Sequence, residues 1–374
     1  MNSIRMVDLK GQYEKIKKEI DANILQVIES TAFINGPKVK EFQTHLEHYL
    51  HVKHVIPCAN GTDALQVSLM ALGLKPGDEV ITSPFTFIAT AEVAGLLGIS
   101  CKFVDVVWNS FNLDVTQLEN AITEKTKAII PVHLFGQCCN MEKIMQIAEK
   151  HSLFVVEDVC QAMGADYMYG NGTQKKAGTI GNIGCTSFFP SKNLGCYGDG
   201  GAIFTNDDEL AKTLRSICNH GMWKPYHHEL LGVNSRLDSI QAAILDVKLK
   251  YLDEYNAARK KAADFYNKMF ENHPNIETPL ISSFTTHVFH QYTLKLKNAD
   301  RQNLIDKMKT ADIPVMVYYP VPLHLQKTFQ YLGYQKGDFP IAEKLCETVI
   351  SLPVHTELTE EQQKFIGKTL CEQL

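Results

Sequence analysis

An acid and a lysine follow two apolar segments that are typical of buried strands. The run Val155-Val156-Glu157-Asp158 ends in two carboxylates, and Lys192 comes shortly after the run Cys185–Phe188. In an open parallel sheet, ligands bind beyond the carboxyl ends of the strands. We therefore expect Asp158 and Lys192 to face one cleft. Taken singly, Asp158 would be a helix cap or a structural acid, and Lys192 a solvated surface lysine.

The residues around Lys192 favour a cleft over a solvated position. Pro190 and Gly195 bracket an irregular turn, and the following glycines favour close backbone packing. A lysine and an acid in one cleft suit pyridoxal 5′-phosphate. The aldehyde of this cofactor forms a Schiff base with a lysine, and a carboxylate keeps its pyridine nitrogen protonated. Burial also lowers the pKa of a lysine, which must lose its proton to attack an aldehyde. We predict Lys192 and Asp158 as catalytic residues.

A segment that suits a phosphate group lies near the N-terminus. Cys58-Ala59-Asn60-Gly61-Thr62-Asp63-Ala64-Leu65 is typical of a strand end, a glycine turn and a helix start. Helix N-termini offer unpaired N–H groups and a positive dipole end to an anion. Thr62 adds a hydroxyl, and Ser187 could add another from the strand that leads to Lys192. An ordinary capped turn is the alternative for this segment.

The composition is that of a globular protein with room for two domains. The chain has 374 residues, of which 45% are hydrophobic and 21% charged. The net charge is −5 and the basic residues are scattered, so we expect no nucleic-acid partner. No stretch approaches the roughly 18 apolar residues of a membrane span. The polar segment Met1–Arg5 runs straight into Val7, so we also expect no signal peptide.

Cysteine usage indicates a reducing compartment. The chain has 10 cysteines, which form no C-x-x-C pair and lie mostly within apolar runs. Buried reduced thiols in a cytoplasmic protein explain this pattern, with zinc binding or disulfides as the alternatives. Cys138-Cys139 lacks the ligand spacing of a zinc site, and we predict no metal.

The first part of the chain alternates short apolar runs with helical patterns. Thr62–Leu72 and Met141–His151 are such helical segments, and Asp21–Ser30 and Pro37–Tyr49 precede them as amphipathic helices. Strand and helix in alternation predict an α/β fold with about seven mostly parallel strands between helices. The predicted strands are Val55–Cys58, Val80–Thr82, Lys102–Asp105, Ala128–His133, Phe154–Asp158, Cys185–Phe188 and Ala202–Thr205.

The pattern changes after Asn234. Leu237–Phe270 has apolar residues at three- and four-residue spacing and predicts one long helix, with or without a kink. A strand at His290–Lys297 and a helix at Arg301–Thr310 follow. We predict a large domain over residues 1–248 and a smaller α+β domain over 249–374.

Four motifs in this order resemble the DegT/DnrJ/EryC1/StrS family of sugar aminotransferases, within the fold-type-I enzymes that use pyridoxal phosphate. The resemblance covers essentially the whole chain. One departure is Cys160, where many relatives carry alanine. The motifs are Asn60–Leu65, Glu157–Ala165, Ser187–Gly201 and Gly232–Asp238.

The resemblance assigns roles to individual residues. Lys192 is the Schiff-base lysine and proton shuttle, and Asp158 pairs with the pyridine nitrogen. Asn234 reaches the phosphate of the neighbouring subunit, which implies a homodimer with shared active sites. The remaining cofactor contacts implied are Gln161 to the ring 3′-oxygen, Gly61, Thr62 and Ser187 to the phosphate, and Phe87 stacked on the ring, with Phe85 as its rival.

The resemblance also implies substrates. Glutamate gives its amine and leaves as 2-oxoglutarate, and the keto group of a nucleotide sugar accepts it. The segment Ser187–Asn206 is most similar to enzymes acting on UDP-2-acetamido-3-keto-glucuronate, whereas Tyr226–Asp238 is shared with those acting on dTDP-3-keto-6-deoxyhexoses. We expect amination at C3 and prefer the uronate.

Three residues are candidates for contact with the sugar nucleotide. Arg236 would pair with a carboxylate or a diphosphate, Tyr319 would bond the sugar, and His133 would face the substrate from a strand end. Each also has a structural alternative: Arg236 as a brace of the phosphate loop, Tyr319 as core and His133 as support behind the site.

Other function classes fit less well. Sugar dehydratases of this fold replace the Schiff-base lysine, so Lys192 argues against them. A dinucleotide-binding oxidoreductase needs G-x-G-x-x-G after its first strand, and Gly198–Ile203 lacks the last glycine. Ser187 and Lys192 do not have the spacing of an S-x-x-K acyl-enzyme. A regulatory protein that binds pyridoxal phosphate without turnover is the non-enzymatic alternative.

Overall fold

The computed structural model describes residues 3–374. The prediction of no signal peptide concerns a segment that begins with Met1 and Asn2. These two residues lie outside the described part of the chain. No helix in the described part is long and apolar enough to cross a membrane. The α-helices are α1 (Leu9–Ser30), α2 (Pro37–Leu50), α3 (Gly61–Ala71), α4 (Ala89–Leu96), α5 (Val115–Leu118), α6 (Met141–Lys150), α7 (Asp208–Cys218), α8 (Ser239–Leu249), α9 (Leu252–Met269), α10 (Arg301–Thr310), α11 (Pro340–Thr348) and α12 (Glu360–Glu372).

The strands fall into one large sheet and three small ones. Short 3₁₀ turns cover Glu119–Ala121, Leu134–Gly136, Leu323–Leu325 and Lys327–Leu332. The strands are β1 (His54–Cys58), β2 (Glu79–Thr82), β3 (Ser100–Phe103), β4 (Thr126–Ile129), β5 (Phe154–Asp158), β6 (Asp166–Met168), β7 (Gln174–Lys176), β8 (Ile183–Ser187), β9 (Gly201–Thr205), β10 (Met222–Lys224), β11 (His227–His228), β12 (Ile276–Glu277), β13 (Tyr292–Leu296) and β14 (Val349–Leu352).

The large sheet has seven strands in the order β1-β9-β8-β5-β4-β2-β3. Strand β9 runs antiparallel to both β1 and β8, and all the other neighbours are parallel. The prediction of a seven-stranded, mostly parallel sheet is confirmed. Because six strands point the same way, their carboxyl ends meet at one edge of the sheet.

Alternating side chains of the strands bury two cores, one on each face of the sheet. Ile56 and Val156 belong to the core that also contains residues of α3, α4 and α7. Their neighbours Val55 and Val155 belong to the core that contains residues of α2, α6 and α8. Side chains of a strand alternate between faces, so a run of consecutive apolar residues is what a strand covered on both faces requires.

Helix α1 extends twelve residues further toward the N-terminus than predicted, since it begins at Leu9 rather than Asp21. The Asp8 side chain accepts a hydrogen bond from the backbone N–H of Gly11 and caps this start. The earlier turns are held by Ile16 and Ile20, which pack against Ile244 and Val247 of α8. Packing against a distant helix therefore sets this boundary.

The predicted helix Leu237–Phe270 is two helices, because α8 ends at Leu249 and α9 begins at Leu252. Helix α10 has the predicted bounds, and β13 pairs with β12 and β14 in a small antiparallel sheet. A third core lies between these elements and includes residues of α9, β13, α10, β14 and α12. The domain boundary between residues 248 and 249 stays a proposal, since Leu249 still belongs to α8 and packs with the second core. Leu323, Phe329 and Leu345, however, pack with the first core of the large sheet.

Candidate functional site

A cavity of about 800 Å³ opens at the carboxyl edge of the large sheet. It brings together the ends of β5 and β8, the β1–α3 turn, the start of α4 and two segments from the C-terminal part. Its lining residues are Asn60, Gly61, Thr62, Asp63, Leu65, Thr86, Phe87, Ala89, Thr90, Asp158, Cys160, Gln161, Ser187, Phe189, Ser191, Lys192, Asp199, His290, Gln291, Tyr318 and Tyr319.

Asp158 is the last residue of β5 and is only 5% exposed. Its Oδ2 accepts a hydrogen bond of 2.8 Å from the Thr90 hydroxyl, and its Oδ1 accepts one of 3.2 Å from the Cys160 backbone N–H. Strand geometry holds its backbone, which exchanges hydrogen bonds with Pro131 and His133 on the next segment. The carboxylate is thus held by donors on both of its oxygens.

Lys192 lies in the loop after β8, half-buried in the same cavity. A turn bond from its N–H to the Phe189 carbonyl, 2.9 Å long, shapes the backbone around it. The next residue, Asn193, anchors the loop by donating to Asn256 of α9 and to the Val288 carbonyl. Burial lowers the pKa of the Lys192 amine, and the negative charge of Asp158 opposes this shift in part. A lowered pKa makes the neutral, nucleophilic amine more available.

The β1–α3 turn has the geometry of an anion cradle. The Asn60 side chain caps α3 by accepting from the Asp63 N–H at 2.8 Å. The N–H groups of Gly61 and Thr62 lie in the first turn, where the helix itself provides no acceptor. A Cβ on Gly61 would meet the Ser187 Cβ at 2.7 Å and the Cys160 Sγ at 3.0 Å. Glycine is therefore required for the close approach of α3 to the end of β8.

The two aromatic residues of the β2–α4 segment have different surroundings. Phe85 is 1% exposed and packs against Phe111, Phe135 and Tyr319. Phe87 is 54% exposed and lines the cavity, with its ring 6.4 Å from that of Tyr319. Of the two rivals for stacking on a bound ring, only Phe87 has a face open to the cavity.

Gln161 and Tyr319 are bonded to each other at the cavity wall. The Gln161 Nε2 donates to the Tyr319 hydroxyl oxygen at 3.1 Å, and its Oε1 accepts from the Phe135 N–H at 2.9 Å. Burial raises the pKa of Tyr319, so its hydroxyl stays protonated and can donate to a ligand. The structure therefore places Tyr319 at the cavity wall beside Gln161.

Asn234 and Arg236 lie away from the cavity of their own chain. Asn234 is exposed and forms a bridge with Asn219, whose side chain also accepts a 3.4 Å hydrogen bond from Arg236 Nη1. Neither residue lines the cavity.

His133 does not face the cavity, and we withdraw it as a substrate contact. It is fully buried, with Nε2 2.9 Å from Glu157 Oε2 and Nδ1 accepting from the Cys139 N–H at 3.1 Å. Both ring nitrogens are therefore used. Glu157 accepts further hydrogen bonds from backbone N–H groups of residues 178, 180 and 181. The pair supports the end of β5 from behind, which is the structural alternative for His133.

Several residues that line the cavity were not predicted from the sequence. Thr90 interrupts the apolar run Phe87–Ile99, and a polar residue in a buried helix is itself a signal of a specific partner. His290 and Gln291 precede β13 and gave no separate signal. Burial, with the positive charges of Lys192 and Arg259, lowers the pKa of His290 well below its usual range, so its ring is neutral.

Among residues 3–374, no three His, Cys, Asp or Glu side chains are grouped to hold a metal ion.

The donors and acceptors of the cavity fit pyridoxal phosphate. The cradle that a Cβ on Gly61 would fill suits the phosphate, with Thr62 and Ser187 supplying hydroxyls. Asp158 supplies a fixed carboxylate for the ring nitrogen, Phe87 an open aromatic face, and Lys192 an amine with a lowered pKa.

Comparison with known proteins gives full-length matches. A sequence model of the DegT/DnrJ/EryC1/StrS aminotransferase family matches residues 14–371. The pleiotropic regulatory protein of Geobacillus stearothermophilus is 47% identical over 99% of this chain and 98% of its own length. The UDP-2-acetamido-2-deoxy-3-oxo-D-glucuronate aminotransferase of Pseudomonas aeruginosa is 46% identical over 98% and 99%. A dTDP-3-amino-3,4,6-trideoxy-alpha-D-glucose transaminase of Streptomyces venezuelae is 36% identical over 96% and 93%.

Solved structures of similar proteins share the whole fold. DesV of S. venezuelae, in complex with a ketimine intermediate, superposes with a TM-score of 0.95 at 35% identity, covering 100% of this chain and 98% of that one. NtdA of Bacillus subtilis, with the bound cofactor PMP, gives a TM-score of 0.90 at 32% identity, covering 100% and 85%.

Proposed function

We propose a reaction for this chain from the premise that it belongs to the DegT/DnrJ/EryC1/StrS aminotransferase family. The chain is a sugar aminotransferase that uses pyridoxal phosphate. We propose that it moves an amino group from glutamate, which leaves as 2-oxoglutarate, to C3 of a nucleotide-linked keto sugar. The observation that carries this proposal is the single cavity that Lys192, Asp158 and the start of α3 line together.

The cofactor-binding roles follow from where each side chain meets the cavity. The α3 N-terminus, with Gly61, Thr62 and Ser187, would hold the phosphate, and Phe87 would cover the ring. Asp158 would hold the proton on the ring nitrogen, and Gln161 would bond the ring 3′-oxygen. When bound, pyridoxal phosphate supplies an electron-withdrawing ring that stabilises negative charge on the carbon next to the amine.

Lys192 would move the protons of the reaction. Because burial lowers the pKa of its amine, Nζ can accept a proton from the α-carbon of the amino donor. In the second half of the reaction it would deliver a proton to C3 of the sugar. Its loop is anchored by Asn193, so Nζ stays beside the bound substrate and the transfer is effectively unimolecular.

The preferred substrate is UDP-2-acetamido-2-deoxy-3-oxo-glucuronate. Support comes from the P. aeruginosa relative that is named for this activity and matches 98% of this chain at 46% identity. Tyr319 would bond the sugar, because its protonated hydroxyl lines the cavity. Arg236 would pair with the carboxylate or the diphosphate from the neighbouring subunit. Amino sugars made this way would serve a surface polysaccharide such as the O-antigen of lipopolysaccharide.

Two alternatives have specific support. The S. venezuelae transaminase favours a dTDP-linked 3-keto-deoxyhexose, although its identity to this chain is lower, at 36%. The G. stearothermophilus relative favours a regulatory protein that binds pyridoxal phosphate without turnover. Donors on both oxygens of Asp158 would help keep the ring nitrogen protonated, which turnover requires and mere binding of the cofactor does not.

We propose a homodimer with shared active sites. Asn234 is exposed and lies outside the cavity of its own chain, as a residue that serves a neighbouring subunit must be.

We also propose a cytoplasmic location, since all 10 cysteines are free, as in proteins of a reducing compartment.

The test is turnover of purified protein with glutamate and a panel of UDP- and dTDP-linked 3-keto and 4-keto sugars. Formation of 2-oxoglutarate and of the amino sugar is measured together. We expect the highest kcat/KM with the UDP-linked 3-keto uronate. A dTDP sugar as best substrate would favour the first alternative, and no turnover by cofactor-loaded protein with any sugar would favour the second.

A further inference from the structure

The hydroxyl of Thr90 bonds a distant side chain rather than a carbonyl of its own helix. Helical Ser and Thr side chains commonly bond the carbonyl four residues back. Ser68, Thr213 and Thr310 do so in this protein, at 2.6, 3.1 and 2.9 Å. Thr90, the second residue of α4, instead donates to Asp158 Oδ2 at 2.8 Å, across 68 positions of the chain.

The surroundings of Thr90 make this bond costly to lose. The residue is 1% exposed, and Ala91, Val93 and Ala94 around it are fully buried. A hydroxyl in such a place needs a partner, because a buried polar group without one is destabilising. The other neighbour of the hydroxyl is Thr86 Oγ1 at 3.4 Å, a longer and weaker contact. Asp158 is thus the partner that accounts for a threonine here.

We infer that Thr90 is a positioning residue that keeps the proton of the Asp158–cofactor pair on the ring nitrogen. This inference rests on the proposed role of Asp158. A hydroxyl donor stabilises the ionised carboxylate and makes it a weaker base. Without this donor, the carboxylate takes the shared proton more readily, and the ring loses the positive charge that makes it an electron acceptor.

The same segment would therefore serve the cofactor twice. Phe87 offers its face to the cavity three residues before Thr90 reaches Asp158. The start of α4 would then fix both the plane of the ring and its charge. The second donor to the carboxylate, the Cys160 N–H on Oδ1, belongs to the backbone and is not removed by a side-chain change. Thr90 is consequently the position at which the bonding of Asp158 can be altered without replacing the acid.

The test uses holoenzyme loaded with nitrogen-15-labelled pyridoxal phosphate, with no substrate. The chemical shift of the ring nitrogen reports whether it is protonated. We expect Thr90→Val to move the resonance toward the unprotonated ring and to slow the half-reaction with glutamate about tenfold, the scale of a lost hydrogen bond to a charged group. Thr90→Ser keeps the hydroxyl and should restore both. Thr90→Ala, also without a hydroxyl, replaces the valine variant if that protein does not fold.

A matched control separates positioning from stability. Thr82 is equally buried, and its hydroxyl donates to the Ile130 carbonyl at 2.8 Å, away from Asp158. Thr82→Val should leave the ring resonance in place. A wild-type resonance in Thr90→Val and Thr90→Ala, which lack the hydroxyl, beside a moved one in Asp158→Asn, would overturn the role of Thr90 alone, even if the rate falls. An unmoved resonance in Asp158→Asn would overturn the proposed role of the acid, whatever the sugar substrate is.

Discussion

Gly61→Ala changes the phosphate cradle by one methyl group and no charge. Gly61 is the first residue of α3, and its N–H is one of those left free for an anion. The added Cβ would lie 2.7 Å from the Ser187 Cβ and 3.0 Å from the Cys160 Sγ. Neither atom is the end of a long flexible side chain, so the start of α3 must move away from β8.

The size of the effect follows from this overlap. Forcing one methyl group into a packed site costs about 1–3 kcal/mol. If the cradle binds the phosphate only when α3 lies at its present distance from β8, the variant must recover that distance to bind. The same free energy is then lost from cofactor binding. The Kd for pyridoxal phosphate should then rise about 5- to 150-fold, since 1.4 kcal/mol is tenfold.

The assay is titration of the apoprotein with pyridoxal phosphate, followed by absorbance of the bound cofactor. Gly170→Ala is the control, because a Cβ there meets nothing within 4 Å. We expect the control to bind as the wild type does. A Gly61→Ala protein with unchanged Kd would refute the reasoning, since it would mean that the anion is not held at this turn.

Three further predictions test other parts of the proposal. Lys192→Ala should remain folded, bind the cofactor without covalent attachment and form no 2-oxoglutarate from glutamate; measurable turnover would remove Lys192 from its catalytic role. Mixing Lys192→Ala and Asn234→Ala subunits should restore about one quarter of wild-type activity, because half of randomly mixed dimers carry one intact shared site; no gain on mixing, with subunit exchange verified, would place Asn234 in its own subunit's site. Burial lowers the pKa of Lys248 to about 8, and its amine donates to the Gly195 carbonyl behind the Lys192 loop. The unfolded chain then binds more protons above pH 8, so the wild type should gain about 2 kcal/mol over Lys248→Met between pH 8 and 9.5 in urea unfolding; a pH-independent difference would contradict the shift.

Element types were predictable where local pattern and burial agree. The seven strands of the large sheet lie within about two residues of their predicted ends, except that the run Ala128–His133 is strand only to Ile129. Short runs that are apolar on consecutive positions suit strands that are covered on both faces. The predicted start of α1 was wrong, because packing against the distant helix α8 holds its earlier turns. The pattern left a kink in the next long helix open, and the structure has a break between α8 and α9.

Local sequence pattern also predicted some of the site residues, whereas tertiary contacts decided others. The expectation that Asp158 and Lys192 face one cleft is met in the structure, because one ends a strand, the other follows a strand, and parallel strands end at one edge of a sheet. The sequence could not choose between Phe85 and Phe87, since both belong to one turn and only packing against Phe111 and Phe135 buries the first. It also could not show that His133 turns toward Glu157.

The sequence alone determined which functional groups the site contains. They are a lysine, an acid and a glycine turn, each next to a strand end where a ligand can reach it. Tertiary structure decided the partners, such as Thr90 on Asp158 and Glu157 on His133. The physical reason is that a strand fixes where its end lies, through hydrogen bonds along the backbone. The direction and protonation of a side chain depend on neighbours that may be 68 positions away, as Thr90 is from Asp158.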